Sequence, residues 1–210
     1  MKKLCFIFLL FSLASQAQND IYKRRQSTQD PNFDWSKVFV GITLTPVFGS
    51  IPSTINPNIS GYNTLGVYAS VTGGYHITEK FMAGAGPLYM FTSWQNPNTG
   101  VNTNANIWGG RIFTSYNLFR NFCVHGEAEL MNAVSQEGYA SGDNTKRQTI
   151  SNPMLGISTV NQGDRSFRSF TILYNFNNID GVTPYGRLFG IQGFPPILIR
   201  ASLFFNLGRE

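Results

Sequence analysis

The chain has 210 residues, of which 13% are charged, with 16 Lys and Arg against 11 Asp and Glu for a formal charge of +5. A soluble domain usually carries about a quarter of its residues charged, so the composition argues against an ordinary soluble enzyme, and so small an excess of positive charge gives no argument for a nucleic-acid partner, none being expected. The 21 Gly, 18 Phe and 9 Tyr give instead the aromatic, glycine-rich, charge-poor profile of membrane β-barrels.

Lys2 and Lys3 precede a nearly unbroken apolar run from Leu4 to Leu13, and Ser15-Gln16-Ala17 supplies a small-x-small cleavage site. Residues 1–17 are therefore expected to be a signal peptide cleaved after Ala17. A membrane anchor is the rival, but a run of about ten apolar residues is half of what a helix needs to cross the bilayer. Cys5 precedes the run's end and would leave with the leader, so Cys123 would have no internal disulfide partner.

Residues 18–34, with Lys23, Arg24, Arg25 and Pro31, are polar and aperiodic, and are expected to be a flexible periplasmic lead. The barrel is expected over 35–210. From Trp35 onward eight segments rich in β-branched and aromatic residues recur, near 36–48, 64–77, 81–94, 105–118, 122–135, 150–161, 167–177 and 196–207. The links between them alternate in length. Thr78 to Lys80, Phe119 to Asn121 and Gln162 to Ser166 are short, whereas 49–63, 95–104, 136–149 and 178–195 are long and contain Asn, Gly and mostly Pro. That layout predicts an all-β fold: an eight-stranded antiparallel up-and-down transmembrane barrel with short periplasmic turns and longer extracellular loops.

A period of two tests this reading. Trp108, Ile112, Tyr116 and Leu118 share one face of the fourth segment, and Arg111, Ser115 and Asn117 the other. Phe122, Val124, Ala128 and Leu130 oppose His125, Glu127 and Glu129; Phe170, Ile172, Tyr174 and Phe176 oppose Ser169, Thr171 and Asn175; Ile197 to Leu207 alternates apolar residues with Arg200, Ser202 and Asn206. A membrane barrel turns the apolar face outward, a soluble sandwich inward; the even count, the loop asymmetry and the scarce charge favour the membrane. Trp35, Trp94, Trp108, Tyr75, Tyr89 and Tyr116 are expected in the interfacial aromatic girdles.

The leader ending Ser-Gln-Ala-Gln, the opening Val38-Phe39-Val40-Gly41-Ile42-Thr43-Leu44 and the terminal strand Ile197 to Leu207 together resemble the small OmpA-like outer-membrane β-barrels. The resemblance implies an outer-membrane location in a Gram-negative bacterium and contact with outer-membrane lipid. It gives no function, because that family spans anchors, adhesins, small pores and a few enzymes.

Arg111, His125, Glu127, Glu129 and Arg200 all fall on inward faces. A three-residue turn at Phe119 to Asn121 sets Leu118 opposite Phe122, Arg111 opposite Glu129 and Ser115 opposite His125, and Arg200 can reach the same carboxylates across the lumen. Two readings compete: a charge-neutral plug, because buried charges persist when paired, or an acid/base or metal-binding cluster. A narrow filled lumen denies substrate access, which favours the plug. No cofactor, metal or catalytic residue is expected, a barrel-wall hydrolase using His76 or His125 being the enzymatic alternative. In the last long loop, Tyr185, Arg187, Phe189 and Phe194 are candidate contacts, folding over the mouth or meeting a protein partner. The expected role is thus a non-enzymatic, structural or partner-binding barrel closed by Arg/Glu pairs, with a small solute pore as the alternative.

Overall fold

A computed structural model describes residues 33–51, 62–95, 102–135, 138, 143, 145–163, 165–177, 185 and 197–207. The expected leader and most of the polar lead lie outside these residues, as do Arg187, Phe189 and Phe194.

Eight strands, β1 (Val38–Ile51), β2 (Tyr62–His76), β3 (Phe81–Gln95), β4 (Asn102–Phe119), β5 (Phe122–Val134), β6 (Arg147–Gln162), β7 (Ser166–Asn175) and β8 (Ile197–Asn206), follow in sequence order around a closed barrel. Every neighbouring pair is antiparallel, and β8 closes on β1 through the register Leu44 to Ala201 and Phe39 to Asn206. The expected strand ends differ from these by no more than three residues. Closure leaves no unpaired edge, which satisfies each strand's backbone donors and acceptors without help from side chains.

Alternation is what gives the wall two surfaces. Val40, Ile42, Leu44 and Phe48 of β1, Leu65, Val67 and Val71 of β2, and Phe170, Ile172 and Tyr174 of β7 point outward and are exposed. Among the described residues the outward lanes carry charge only near their ends, at Arg147 and Arg168. The ten residue steps from Val38 to Phe48 advance about 33 Å along a strand, and a typical tilt of about 40° reduces that to a height of about 25 Å, the apolar band of outer-membrane barrels.

Three short turns close one end. After β2, Thr78 Oγ1 accepts from the backbone N–H groups of Lys80 and Phe81, at 3.2 and 3.0 Å. Between β6 and β7, the Gly163 N–H donates to the Ser166 carbonyl at 2.8 Å. The β4–β5 turn departs from expectation: it has two residues, Arg120 and Asn121, with Phe119 paired to Phe122 and a register shift between Asn117 and Phe119. Arg120 takes a left-handed φ of 47°, and Asn117 Nδ2 caps its carbonyl at 3.0 Å. Leu118 absorbs the extra residue, so the register further into the strands is the expected one, with Arg111 opposite Glu129 and Ser115 opposite His125.

The lumen is filled in three tiers. At the turn end Phe39, Phe113, Phe167 and Phe204 pack together with Met82, Cys123 and Val160; Phe167 and Phe204 stack at 4.6 Å, and Phe39 meets both edge-on. Inward-facing Gly41, Gly74 and Gly84 make room, since a Cβ at any of them would collide with Phe204, Phe39 or Phe113. At the loop end Tyr68, Leu88, Met90, Trp94, Ile107 and Met131 form a second apolar cluster with Tyr185. The charged residues occupy the level between.

Trp94 corrects an expectation: it is 2% exposed in the lumen, not in a girdle. Its position follows from the lane it shares with Leu88 and Met90, both inward. Tyr75 and Tyr116 are half-buried, whereas Trp35, Tyr89 and Trp108 face outward and are exposed.

Candidate functional site

The lumenal charge cluster is built from strands on opposite sides of the barrel. Glu127 and Glu129 stand two residues apart on β5, so both carboxylates project into the lumen, about 6.6 Å apart along the strand. That spacing suits one guanidinium. Arg200, on β8, donates from Nη1 to Glu127 Oε1 and from Nη2 to Glu129 Oε1, both at 2.7 Å. Arg111, on β4, donates from Nη2 to Glu127 Oε2 at 3.0 Å. Although Arg111 is the cross-strand partner of Glu129 in register, its side chain takes the diagonal to Glu127. The expected Arg111 and Glu129 pair is therefore replaced by an Arg111 and Glu127 pair, because Arg200 and Tyr185 already occupy both oxygens of Glu129.

His125 completes the group, with Nε2 at 3.3 Å from Glu127 Oε2 and its ring stacked on Phe113 at 5.5 Å. All five residues that the sequence placed inward are thus brought together, and each is buried. The two glutamate side chains are fully buried and the two arginine side chains almost so. Two cations facing two carboxylates leave the core of the cluster neutral, and the short charge-assisted bonds are what make burial tolerable.

Of the two alternatives open to Tyr185, folding in at the mouth or meeting a partner, the structure has the first: it is 3% exposed and its hydroxyl donates to Glu129 Oε2 at 2.7 Å while accepting from Arg200 Nη2 at 3.2 Å. A phenol combines an apolar ring, which joins the loop-end cluster, with a hydroxyl that can satisfy a buried carboxylate. Tyr68, not singled out by the sequence, lies under the Arg200 guanidinium with the cation 4.4 Å from its ring centroid. Its signal was available: it shares the inward lane of β2 with Ser70 and Thr72.

The arrangement suits support rather than turnover. Both carboxylates are saturated by arginine, histidine or tyrosine donors, and aromatic and aliphatic tiers close both ends. A small cavity opens at the turn end, lined by His76, Met82, Ser115, Asn117 and Cys123 among others; it stops at the level of Ser115, on the turn side of Arg111. Among the described residues no group of three or more His, Cys, Asp or Glu is placed to hold a metal ion.

Neither a protein-family model nor a curated protein matches the sequence. Among solved structures, the translocator domain of the autotransporter NalP from Neisseria meningitidis is similar over 91% of this chain and 97% of that one, at 12% identity and a TM-score of 0.34. At that level the likeness carries no argument, and the architecture rests on the continuous register of this chain's own eight strands.

Proposed function

We propose that this chain is a non-enzymatic outer-membrane β-barrel with a structural or partner-binding role, its lumen closed to solutes. The observation that carries the reading is the pairing of two surfaces: an outer wall whose lanes are apolar over about 25 Å, and an interior occupied by side chains from end to end. A soluble barrel would turn its apolar surface inward and hydrate the outer one; here the lumen is filled by side chains that pair with one another and the outer surface is the apolar one, and lipid is the solvent it fits. The OmpA-like kinship, the leader and the placement of short turns in the periplasm belong to the same proposal. With the lumen filled, any protein partner would engage the loops.

Alkaline extraction of membranes tests residence, with the chain expected in the pellet. Planar-bilayer recording tests closure. The expected trace is free of steady conductance, and a stable open level would replace this reading with the small-pore alternative.

A further inference from the structure

The two rims of the wall differ in chemistry. At the loop end the outward positions Ser93, Asn104, Asn106, Asn132, Thr149 and Ser151 are amides and hydroxyls, and Arg147 there is held by Asn132 Oδ1 and by the carbonyls of Asn106 and Asn132. At the turn end every hairpin carries an exposed cation: Lys80 between β2 and β3, Arg120 between β4 and β5, Arg165 between β6 and β7, with Arg168 just inside β7 on its outward lane. The described acids at this end are Glu79 and Asp34, and Asp34 is bridged to Lys37 at 3.4 Å.

We propose that the turn-end rim is a collar for anionic phospholipid headgroups, which rests on the membrane reading above. The cations stand where the apolar lanes end, the level at which lipid phosphates lie. Arg168 shows the geometry best. Its cross-strand neighbours are Asn161 on β6 and Leu203 on β8, and Phe170 follows it on the same lane, a setting in which an arginine can lay its methylenes along the apolar wall and carry its guanidinium to the interface. Arginine, at three of the four positions, can bind a phosphate through two parallel donors. Exposed aromatic residues share the level: Phe33 packs edge-on against Trp35 at 5.1 Å, and Phe119 stacks on Phe122 at 5.4 Å. The hairpin spacing distributes positive charge over three of the four sectors of the ring, which matches a lipid annulus rather than one bound molecule.

Trp35 provides the reporter, being 64% exposed at this rim, while Trp94 is enclosed in the lumen. The full chain carrying Trp108→Phe is refolded into mixed vesicles in which either phosphatidylglycerol or phosphatidylcholine is brominated near the headgroup. Phosphatidylglycerol is expected to quench Trp35 more strongly at equal mole fraction, by about threefold or more at low salt, and the preference should fade as ionic strength rises. Replacing Lys80, Arg120, Arg165 and Arg168 by Gln should bring the ratio to about one. Equal quenching by both lipids in the parent chain, or a preference that survives the four replacements, overturns the collar. Absence of quenching by either lipid overturns the membrane reading and the collar with it. Heat-modifiable migration of the four-Gln chain confirms that the barrel compared is folded.

Discussion

Arg200 on β8 and Glu129 on β5 meet across the lumen at 2.7 Å, joining two strands that share no ladder of backbone hydrogen bonds. Because the same guanidinium also holds Glu127, one side chain pins both carboxylates of the far wall. Arg200→Ala is expected to cost about 3–5 kcal/mol, since it leaves buried carboxylates without their main partner. Arg111→Ala should cost less, because Glu127 keeps Arg200. Urea titration of folded barrel in vesicles ranks the two, and the reverse order would refute the assignment of Arg200 as the hub.

Removing the carboxylates should relieve that loss. Arg200→Leu and Arg111→Met combined with Glu127→Gln and Glu129→Gln is expected to be more stable than Arg200→Leu alone, because replacing both cations and both carboxylates is milder than stranding the carboxylates. The same titration reads the difference, and equal stabilities would mean that the carboxylates are hydrated in the single variant.

Tyr185→Phe keeps the ring and deletes a hydrogen bond to a buried carboxylate. A loss of about 1.5–3 kcal/mol is expected. If urea midpoints of the two chains coincide, Tyr185 does not bear on Glu129 in the folded barrel.

Ile112, 62% exposed on the outward lane of β4, pairs with Ala85 on one side and Ala128 on the other. Ile112→Arg should destabilise the barrel in a bilayer by about 2–4 kcal/mol, while Thr149→Arg at the loop rim should change it by about 1 kcal/mol or less. Equal tolerance at both depths would indicate a hydrated outer wall and defeat the membrane reading.

At the start of β1, the hydroxyl and backbone N–H of Ser36, together with Lys37, hold the Asp34 carboxyl below its ordinary range. A lowered folded pKa means that the contribution of this turn is complete above the unfolded value and is lost as pH falls through the folded one. Trp35 fluorescence is expected to change below about pH 4, and Asp34→Asn should abolish that transition; a transition that persists would belong to another group.

Much of this barrel was legible in the sequence because β-structure has a period of two and barrel hairpins alternate in length, both of which are local facts. Strand number, pairing order and the register from Arg111 to Glu129 follow from them. The charge residues on β4, β5 and β8 were legible for the same reason, since a charged residue flanked by apolar neighbours can face only one way in a wall bounded by lipid. Tyr68, Trp94 and the four lumenal phenylalanines were legible only in part. Their lanes are marked as inward by polar neighbours such as Ser70, Thr92, Ser115, Ser169 and Ser202, but a large aromatic side chain suits the lipid-facing wall equally well, so the residue type pulls against the lane. Which inward ring fits is decided by the glycines on other strands, Gly41, Gly74 and Gly84, whose missing side chains leave the space that Phe204, Phe39 and Phe113 fill.

The sequence by itself thus determined the wall: eight strands, their order, and the lanes that face out. Only the tertiary structure decided the interior. Arg111 turns to Glu127 rather than to its register partner because Arg200, 71 positions away from Glu129 in the chain, arrives from the opposite wall together with Tyr185 and claims Glu129 first. Competition among side chains that converge from distant strands is settled by reach and available donors, and neither quantity exists until the barrel has closed.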